Sequence, residues 1–250
     1  MRIQQIRNAM QKIRYGDQVL LVDPWLQDKG TGFSAPALKP EMAGLPCPLN
    51  DLPLSPAEIL AGVDFCLVTH IHPDHFTADY LPVGMKLIVQ NEADQARAEA
   101  MGFTNVLACT GELSVGSVTI TRVPAIHGDN PQVAELMGAV SGYVLRGEAK
   151  TLYIAGDTVY YDGVAETLAR YKPDVITVNC CEARVPVGRL IMDLPDVALV
   201  CQSAPDALVI ATHLDSVNHA MVTRADVRAF ARANDLCRLR VPADGEWIEP

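Results

Sequence analysis

Three of the six histidines of this chain lie within seven consecutive residues, together with an aspartate. The stretch is Thr69-His70-Ile71-His72-Pro73-Asp74-His75, and it follows an apolar run, 63–68, that is typical of a buried strand. Pro73 disfavours a helix, so the strand should deliver three imidazoles and a carboxylate into a loop. Such nitrogen and oxygen ligands suit zinc, and they also suit Mn(II) or Fe(II). The alternative, three unrelated surface histidines, requires a chance clustering of a scarce residue type.

Three further candidate ligands follow at wide intervals, and each comes directly after an apolar run. His127 follows 118–126, Asp157 follows 151–156 and His213 follows 207–212. Ligands at strand ends can converge on one edge of a sheet system, where rigid elements hold them. Each residue taken singly could instead be a loop histidine, a helix N-cap or a strand-end histidine. Their shared placement favours one common site.

The pattern His-x-His-x-Asp-His resembles the signature of the metallo-β-lactamase superfamily, which has a further His, Asp and His downstream. The resemblance extends from the Leu21-Val22-Asp23-Pro24 turn to His213. It implies an α/β fold, a four-layer αββα sandwich with the metal site at one edge between two sheets. It also implies that Asp23 lies beneath the metal site and supports it, the alternative being a simple turn aspartate.

The resemblance also assigns the ligands to two divalent metal ions, most readily Zn²⁺, with Mn²⁺ or Fe²⁺ as alternatives. The first metal would be held by His70, His72 and His127, the second by Asp74, His75 and His213, and Asp157 would bridge them. One Zn²⁺ lowers the pKa of bound water from about 16 to about 7, so a bridging water would become hydroxide near neutral pH. That hydroxide would attack a carbonyl carbon or a phosphorus, and Asp74 would also orient it.

The sixth histidine, His219, lies six residues after His213. We expect it to donate a proton to the leaving group or to bind a substrate anion, while a packing role is the alternative. Seven ligands already serve two metals, and an eighth would fill the open coordination position that catalysis requires. His219 is therefore a candidate catalytic residue, together with Asp74.

Below superfamily level, the best resemblance is to the L-ascorbate-6-phosphate lactonase-like branch. The motifs that carry it are Asp23-Pro24-Trp25-Leu26, Ala155-Gly156-Asp157-Thr158 and Ile191-Met192-Asp193. The leading hypothesis is a metal-dependent hydrolase of a small ester, lactone or phosphate ester. A phosphodiesterase acting on nucleotides or RNA is one alternative, and a metal-binding protein without catalysis is another. The complete ligand set disfavours the last.

Composition limits the partners and the compartment. A net charge of −10 argues against a nucleic-acid binder, because phosphate contacts need a basic face, but it still allows a small and even anionic substrate. The seven cysteines form no Cys-x-x-Cys pair, so we expect free thiols and not a disulfide framework, with Cys66, Cys180, Cys181 and Cys201 buried. The sequence starts without an apolar signal segment and has no membrane-length apolar run, so we expect a cytoplasmic protein. Homo-oligomerisation is left open.

The chain should fold as one hydrolase domain, 1–250, since 49% hydrophobic content over this length supports one large core. Residues 26–62 are rich in proline and lack periodicity, so we interpret them as a loop over the active site. Within and beside this loop, Phe33 and Trp25 are candidate pocket walls. Strands in two groups, each followed by helices, favour two sheets packed face to face with helices outside.

Overall fold

The structure is a computed structural model that describes residues 1–250. One sheet contains β1 (Arg2–Arg7), β2 (Met10–Tyr15), β3 (Gln18–Val22), β4 (Phe65–Leu67), β5 (Leu87–Val89), β6 (Val106–Ala108) and β16 (Trp247–Ile248). The other contains β7 (Glu112–Val115), β8 (Val118–Pro124), β9 (Ser141–Arg146), β10 (Leu152–Ile154), β11 (Val175–Asn179), β14 (Leu208–Thr212) and β15 (Leu239–Arg240). Strand order is β16-β1-β2-β3-β4-β5-β6 in the first sheet and β15-β14-β11-β10-β9-β8-β7 in the second. A separate hairpin pairs β12 (Arg184–Val185) with β13 (Gly188–Arg189).

The helices are α1 (Pro56–Leu60), α2 (Glu92–Ala100), α3 (Pro131–Met137), α4 (Asp162–Tyr171), α5 (Leu194–Ser203) and α6 (Arg224–Ala233). Side-chain caps fix several starts: Asn91, Asp193 and Thr223 each accept a hydrogen bond from the backbone N–H three residues later. None of these helices is both long and apolar enough to cross a bilayer.

Three buried apolar clusters show how the layers stack. The middle cluster joins side chains of both sheets, such as Ile13 and Phe65 from the first and Ile120 and Ile154 from the second. A second cluster packs the outer face of the first sheet against α1 and α2, and a third packs the outer face of the second sheet against α4, α5 and α6. Two sheets between two helical layers form an αββα sandwich, so the predicted fold class is confirmed.

Several short elements were not predicted from the sequence. The proline-rich segment 26–62 includes a 3-10 turn, Pro40–Met42, and α1, while β7 and the β12–β13 hairpin lie in stretches without strong alternation. Strand β15 is likewise very short, with only Leu239 and Arg240. Most of these elements have two to five residues, which is too short for periodicity to indicate them.

Helix α3 is the missed element that matters for the site. Its seven residues are too few to show a hydrophobic period, but its boundaries carry signals. Asn130 caps the first turn by accepting from Val133 N, Pro131 occupies the first turn, and Gly138 ends the helix with a φ of 74°. Reading Asn-Pro as a start and Gly as a stop would have found it.

All seven cysteines are free, as the sequence predicted. Cys66, Cys180 and Cys181 are buried, whereas Cys201 is only partly buried, at the margin of the apolar cluster outside the second sheet. Cys237 is exposed. The expected burial of Cys201 was therefore wrong.

Candidate metal centre

Four strand ends bring the predicted ligands to one edge of the two sheets. His70 comes after β4 of the first sheet, whereas His127, Asp157 and His213 come after β8, β10 and β14 of the second. Strands β4 and β10 are buried along their whole length, so apolar packing fixes the points from which their ligands leave. The site thus lies between the sheets, where rigid backbone holds the side chains.

The loop after β4 is a tight turn that places its ligands on one side. The backbone N–H groups of His75 and Phe76 both donate to the carbonyl oxygen of His72, at 3.0 and 2.9 Å. Ile71 and Phe76 are buried in the apolar layer outside the first sheet, which anchors the loop. His72, Asp74 and His75 are consequently directed together towards the sheet edge.

All seven predicted ligands come together in three overlapping groups. Within each group, the atoms that could bind a metal lie within 4.8 Å of one another. We call the group of His70, His72 and His127 the first metal position and the group of Asp74, His75 and His213 the second metal position. A third group, His70, His75 and Asp157, connects the two. This division coincides with the one that the resemblance implied.

Asp157 lies between the two metal positions. Its Oδ2 atom is 3.2 Å from Nε2 of His75, 3.3 Å from Nε2 of His127 and 3.9 Å from Nε2 of both His70 and His213. Its Oδ1 atom accepts a hydrogen bond of 2.7 Å from Asn179 Nδ2, which fixes the orientation of the carboxylate. A carboxylate surrounded by imidazoles of both positions is suited to bridge two cations.

Asp23 supports two of the histidines from outside the site. His75 Nδ1 donates to Asp23 Oδ2 at 2.8 Å. Thr69 Oγ1 donates to the same carboxylate atom at 2.8 Å and lies 3.0 Å from His70 Nδ1, so it can accept from that ring. These bonds set the tautomers of His70 and His75 and direct both Nε2 atoms into the site. The structure thus places Asp23 beneath the metal positions, as the resemblance implied.

The other three histidines are also held by one ring nitrogen. The partners are Met137 O for His72 Nε2 at 3.0 Å, Leu190 O for His127 Nδ1 at 2.9 Å and Cys181 Sγ for His213 Nδ1 at 3.5 Å. In each ring, one nitrogen contacts this outer partner and the other nitrogen remains available to bind a metal. Outer partners of this kind orient metal-binding histidines and raise their basicity.

Burial and charge divide the imidazoles into two kinds. Burial lowers the pKa of His127 to about 4 and holds the pKa of His70 well below its usual value. Both rings are therefore neutral at pH 7, which is the form that binds a metal.

His75 and His213 behave in the opposite way without a metal. Burial disfavours a charge on His75, but the carboxylates of Asp157, Asp23 and Asp74 outweigh burial and raise its pKa to about 10. Burial is likewise outweighed at His213, where Asp157 is the main cause of a pKa well above the usual value. The carboxylates thus hold protons in the place of cations, and metal binding must displace them.

The donor set fits a divalent transition metal. The Nε2 atom of His70 is buried and makes no hydrogen bond, which is costly unless a cation is its partner. Five imidazoles and two carboxylates are the nitrogen and oxygen ligands that zinc, manganese and iron accept.

His219 lies beside this centre but is not part of any group that could hold a metal. It is 6% exposed and lines the same cavity as Asp74 and His213. Burial lowers its pKa below the usual value, so the ring is neutral at pH 7. Phe33 packs against it with ring centroids 6.3 Å apart.

A cavity of about 450 Å³ opens onto the metal positions. Phe33, Ala35 and Pro36 of segment 26–62 line one side. The other walls come from α3 and from the segment 183–190, through Leu136, Met137, Val185, Pro186, Val187 and Leu190. Trp25 was wrongly expected as a wall: it is fully buried behind Phe33, with ring centroids 6.2 Å apart.

Sequence reasoning missed the residues that orient the ligands. The partners of His72 and His127 are backbone carbonyls, which carry no sequence signal. Asn179 could have been found, because it is a polar residue ending the buried strand β11, which pairs in parallel with β10 and so ends near Asp157.

Comparison with known proteins agrees with this geometry. A model of the beta-lactamase superfamily domain matches residues 19–214. The UPF0173 protein YddR of Bacillus subtilis is 36% identical over 253 residues, covering 98% of each chain. A UPF0173 metal-dependent hydrolase of Roseobacter denitrificans is 30% identical over 171 residues, or 66% of each chain.

Two solved structures are similar over nearly their whole length. A protein described as a possible metal-dependent hydrolase, from Veillonella parvula, has a TM-score of 0.93 and 32% identity, covering 99% of this chain and 98% of the other. An isothiocyanate hydrolase from Delia radicum gut bacteria has a TM-score of 0.92 and 31% identity, covering 100% of this chain and 99% of the other. The superfamily prediction is confirmed: the chain belongs to the beta-lactamase superfamily and, within it, to the UPF0173 family of metal-dependent hydrolases.

Proposed function

We propose that this protein hydrolyses small, uncharged electrophiles that carry an apolar substituent, with isothiocyanates as the first candidates and esters and lactones as the second. The observation that carries this proposal is the lining of the cavity. Its walls are apolar, its only ionisable side chains are histidines and aspartates of the metal positions together with His219, and no lysine or arginine lines it. An apolar group can be buried there, while an anionic group would find no cationic side chain.

Isothiocyanates match this lining in size and polarity. Their central carbon is electrophilic, the N=C=S group is uncharged, and the substituent is commonly an alkyl or aryl group. The similar structure from Delia radicum gut bacteria is an isothiocyanate hydrolase, and the likeness extends over 100% of this chain. The balanced reaction is R–N=C=S + H₂O → R–NH₂ + COS. Oxygen bonds to the central carbon, the C–N bond breaks and the amine nitrogen receives both protons.

The metal centre in this proposal is dinuclear, with zinc as the first candidate and manganese or iron as alternatives. The residues of the first and second metal positions would hold the two ions, and the Asp157 carboxylate would be shared between them. When bound there, divalent metal would supply a nucleophile from water at neutral pH and stabilise the negative charge that develops on the substrate. The five imidazoles are neutral when they bind a metal, so only Asp74 and Asp157 would balance the charge of two divalent cations. The remaining positive charge would attract an electron-rich atom of the substrate.

Asp74 and His219 are the proposed catalytic residues of the chain. Both line the cavity, so both can reach water or substrate within it. The Asp74 carboxylate can accept a hydrogen bond from the attacking water and direct its lone pair. His219 is neutral at pH 7, so it can take up a proton from the addition step and pass it to the leaving nitrogen or oxygen.

Phosphorylated substrates are less well served by this cavity. A phosphate ester, a phosphorylated lactone, a nucleotide and RNA all bring several anionic oxygens, which are usually bound by arginine, lysine or helix N-termini as well as by metal ions. Beyond the metal positions, no arginine or lysine lines this cavity. The net charge of −10 adds a general repulsion. Among lactones, we therefore propose only uncharged ones as substrates, and not phosphorylated lactones.

The cellular setting is part of the same proposal. All seven cysteines are free thiols and five of them are buried, which suits a reducing cytoplasm. The expected partners are small molecules, without nucleic acid.

An activity panel tests the proposal directly. Protein loaded with zinc, manganese or iron would be incubated with phenethyl and allyl isothiocyanate, a phenyl ester, an uncharged lactone and bis-p-nitrophenyl phosphate. The expected result is release of amine from the isothiocyanates at a kcat/KM above that for the phosphodiester by about 100-fold or more. Chelated protein and His127→Ala are the controls. Preference for the phosphodiester would overturn the proposal, and no turnover of any substrate would favour metal binding without catalysis.

A further inference from the structure

The tip of the first hairpin is buried, which is unusual for a two-residue turn. Asn8 and Ala9 connect β1 to β2, with Arg7 paired to Met10, and the two tip residues are 0% and 4% exposed. Asn8 adopts a left-handed backbone with a φ of 55°, which asparagine tolerates better than most residues. Loops usually lie on the surface because buried backbone needs internal partners. The partners of Asn8 are therefore informative.

Asn8 bonds to two residues of the second metal position. Its side-chain Nδ2 donates to the backbone carbonyl of Asp74 at 3.0 Å. Its own carbonyl accepts from the backbone N–H of His213 at 2.9 Å. Asp74 follows β4 of the first sheet and His213 follows β14 of the second, so this one residue joins the two sheets at the metal centre.

The His213 backbone needs such support. Its φ of 61° is in the left-handed region, where a histidine costs on the order of 1 kcal/mol relative to an ordinary conformation. The hydrogen bond to Asn8 holds the N–H in the orientation that this backbone requires. The histidines of the first metal position are instead oriented through Thr69, Met137 and Leu190.

The hairpin tip is itself held firmly. Gln5 Nε2 donates to the Asn8 carbonyl at 2.8 Å. The buried guanidinium of Arg7 donates at 2.7 Å to the carbonyl oxygens of both Trp25 and Gln27, and at 3.1 Å to that of Asn50. The tip is thus a fixed point from which Asn8 can set the positions of its two partners.

We propose that Asn8 is a positioning residue that sets the separation of Asp74 and His213 and so selectively strengthens the second metal position. This inference rests on the proposed function, because it takes those two residues as ligands of one metal. Asn8 acts through the ligand backbones, not by binding the metal. Loss of its amide should weaken the second metal position and spare the first.

The variant Asn8→Gly isolates the side-chain amide. Glycine accepts the left-handed backbone and keeps the carbonyl that binds His213, but it cannot donate to Asp74. Loss of an outer partner typically costs 10–100-fold in metal affinity. Titration of metal-free protein with Zn²⁺ and with Co²⁺, followed by equilibrium dialysis and by the Co²⁺ absorption spectrum, should show the second equivalent weakened by about that factor and the first unchanged. If glycine makes the hairpin tip too flexible, Asn8→Ala removes the same donor from a stiffer backbone, at a cost on the order of 1 kcal/mol for the left-handed conformation.

Two controls separate the possible failures. Lys172→Gly makes the same kind of change at another left-handed residue, with a φ of 45°, at the end of α4, and should leave both equivalents unchanged. His213→Ala should lose the second equivalent. If His213→Ala loses it while Asn8→Gly binds both metals normally, or weakens both equally, the role of Asn8 is wrong and the proposed metal centre stands. If His213→Ala retains both metals, the ligand assignment itself is wrong.

Discussion

The carboxylate of Asp23 lies 2.8 Å from Nδ1 of His75, on the side of the ring that faces away from the other ligands. The same carboxylate reaches His70 through Thr69 Oγ1. One residue that binds no metal therefore orients a histidine of each metal position. This arrangement makes the outer partners as testable as the ligands.

Asp23→Asn should weaken both metals while preserving the fold. The amide keeps the size of the side chain but loses the negative charge that His75 and Thr69 share, so affinity should fall about 10–100-fold. Metal titration with a competing chelator measures this. Asp64→Asn is the matched control, since Asp64 also accepts a backbone N–H, that of Val19, but far from the centre. Unchanged affinity in Asp23→Asn would show that Asp23 is only a turn residue.

The stability of the metal-free protein should fall as the pH rises from about 7.5 to 8.5, where unfolded histidines are already neutral. The pKa of His75 is raised to about 10 in the folded state, so its stabilising contribution is complete below the unfolded pKa of about 6.5 and is lost as the pH rises towards 10. Above about pH 7.5, His70 and His127 are almost entirely neutral in both the folded and the unfolded state, so they contribute little slope there. We expect a decrease on the order of 1 kcal/mol per pH unit.

Urea unfolding in excess chelator at several pH values measures that slope. His75→Gln should make the slope shallower but not abolish it, because glutamine carries no titrating proton while His213 still titrates. A stability that is constant or rises between about pH 7.5 and 8.5 in the native sequence would contradict the charge arrangement around His75.

His219→Ala should retain both metals and lose activity by about 10²–10⁴-fold, the usual contribution of a general acid–base group. Because its pKa is lowered, His219 is active in the neutral form, and the acidic limb of the pH–rate profile should change in the variant. His219→Gln should restore part of the loss if substrate anchoring, and not proton transfer, is the role. Full turnover in the alanine variant would make His219 a packing residue, and loss of a metal would make it a ligand.

Leu136→Ala should lower kcat/KM for phenethyl isothiocyanate about 3- to 10-fold and affect allyl isothiocyanate less. Leu136 lines the cavity and is 64% exposed, so truncation removes contact with a large substituent at little cost in stability. Leu199→Ala is the control, because Leu199 is also an exposed leucine but is absent from the cavity lining. Equal losses for both substrates would place the substituent elsewhere.

The candidate ligands could be predicted from the sequence because each follows an apolar run that is typical of a buried strand. His127, Asp157 and His213 each come directly after such a run. The αββα layers could be predicted because the strand-like runs form two groups, each followed by helices. The residues that orient the ligands could not be predicted in the same way. Met137 and Leu190 act through carbonyl oxygens, which every residue possesses, and only the tertiary structure brings them to a histidine.

The burial of Asn8 could not be predicted from the sequence either. In the sequence it is a polar residue in a tight turn, which indicates a solvent-exposed hairpin tip. The structure buries the tip because the end of β14 at His213, 205 residues later in the chain, lies against it. Long-range contacts of this kind have no local signal.

Metal content compared between the native protein and Asp157→Asn tests the central claim most directly. Asp157 is the one carboxylate that lies within 3.9 Å of Nε2 atoms of both metal positions, and asparagine keeps its shape while removing the negative charge. Elemental analysis should find close to two transition-metal ions per chain in the native protein and less than one in the variant, with thermal unfolding used to verify folding. Two ions retained by Asp157→Asn, or none bound by the native protein, would contradict a metal centre bridged by Asp157.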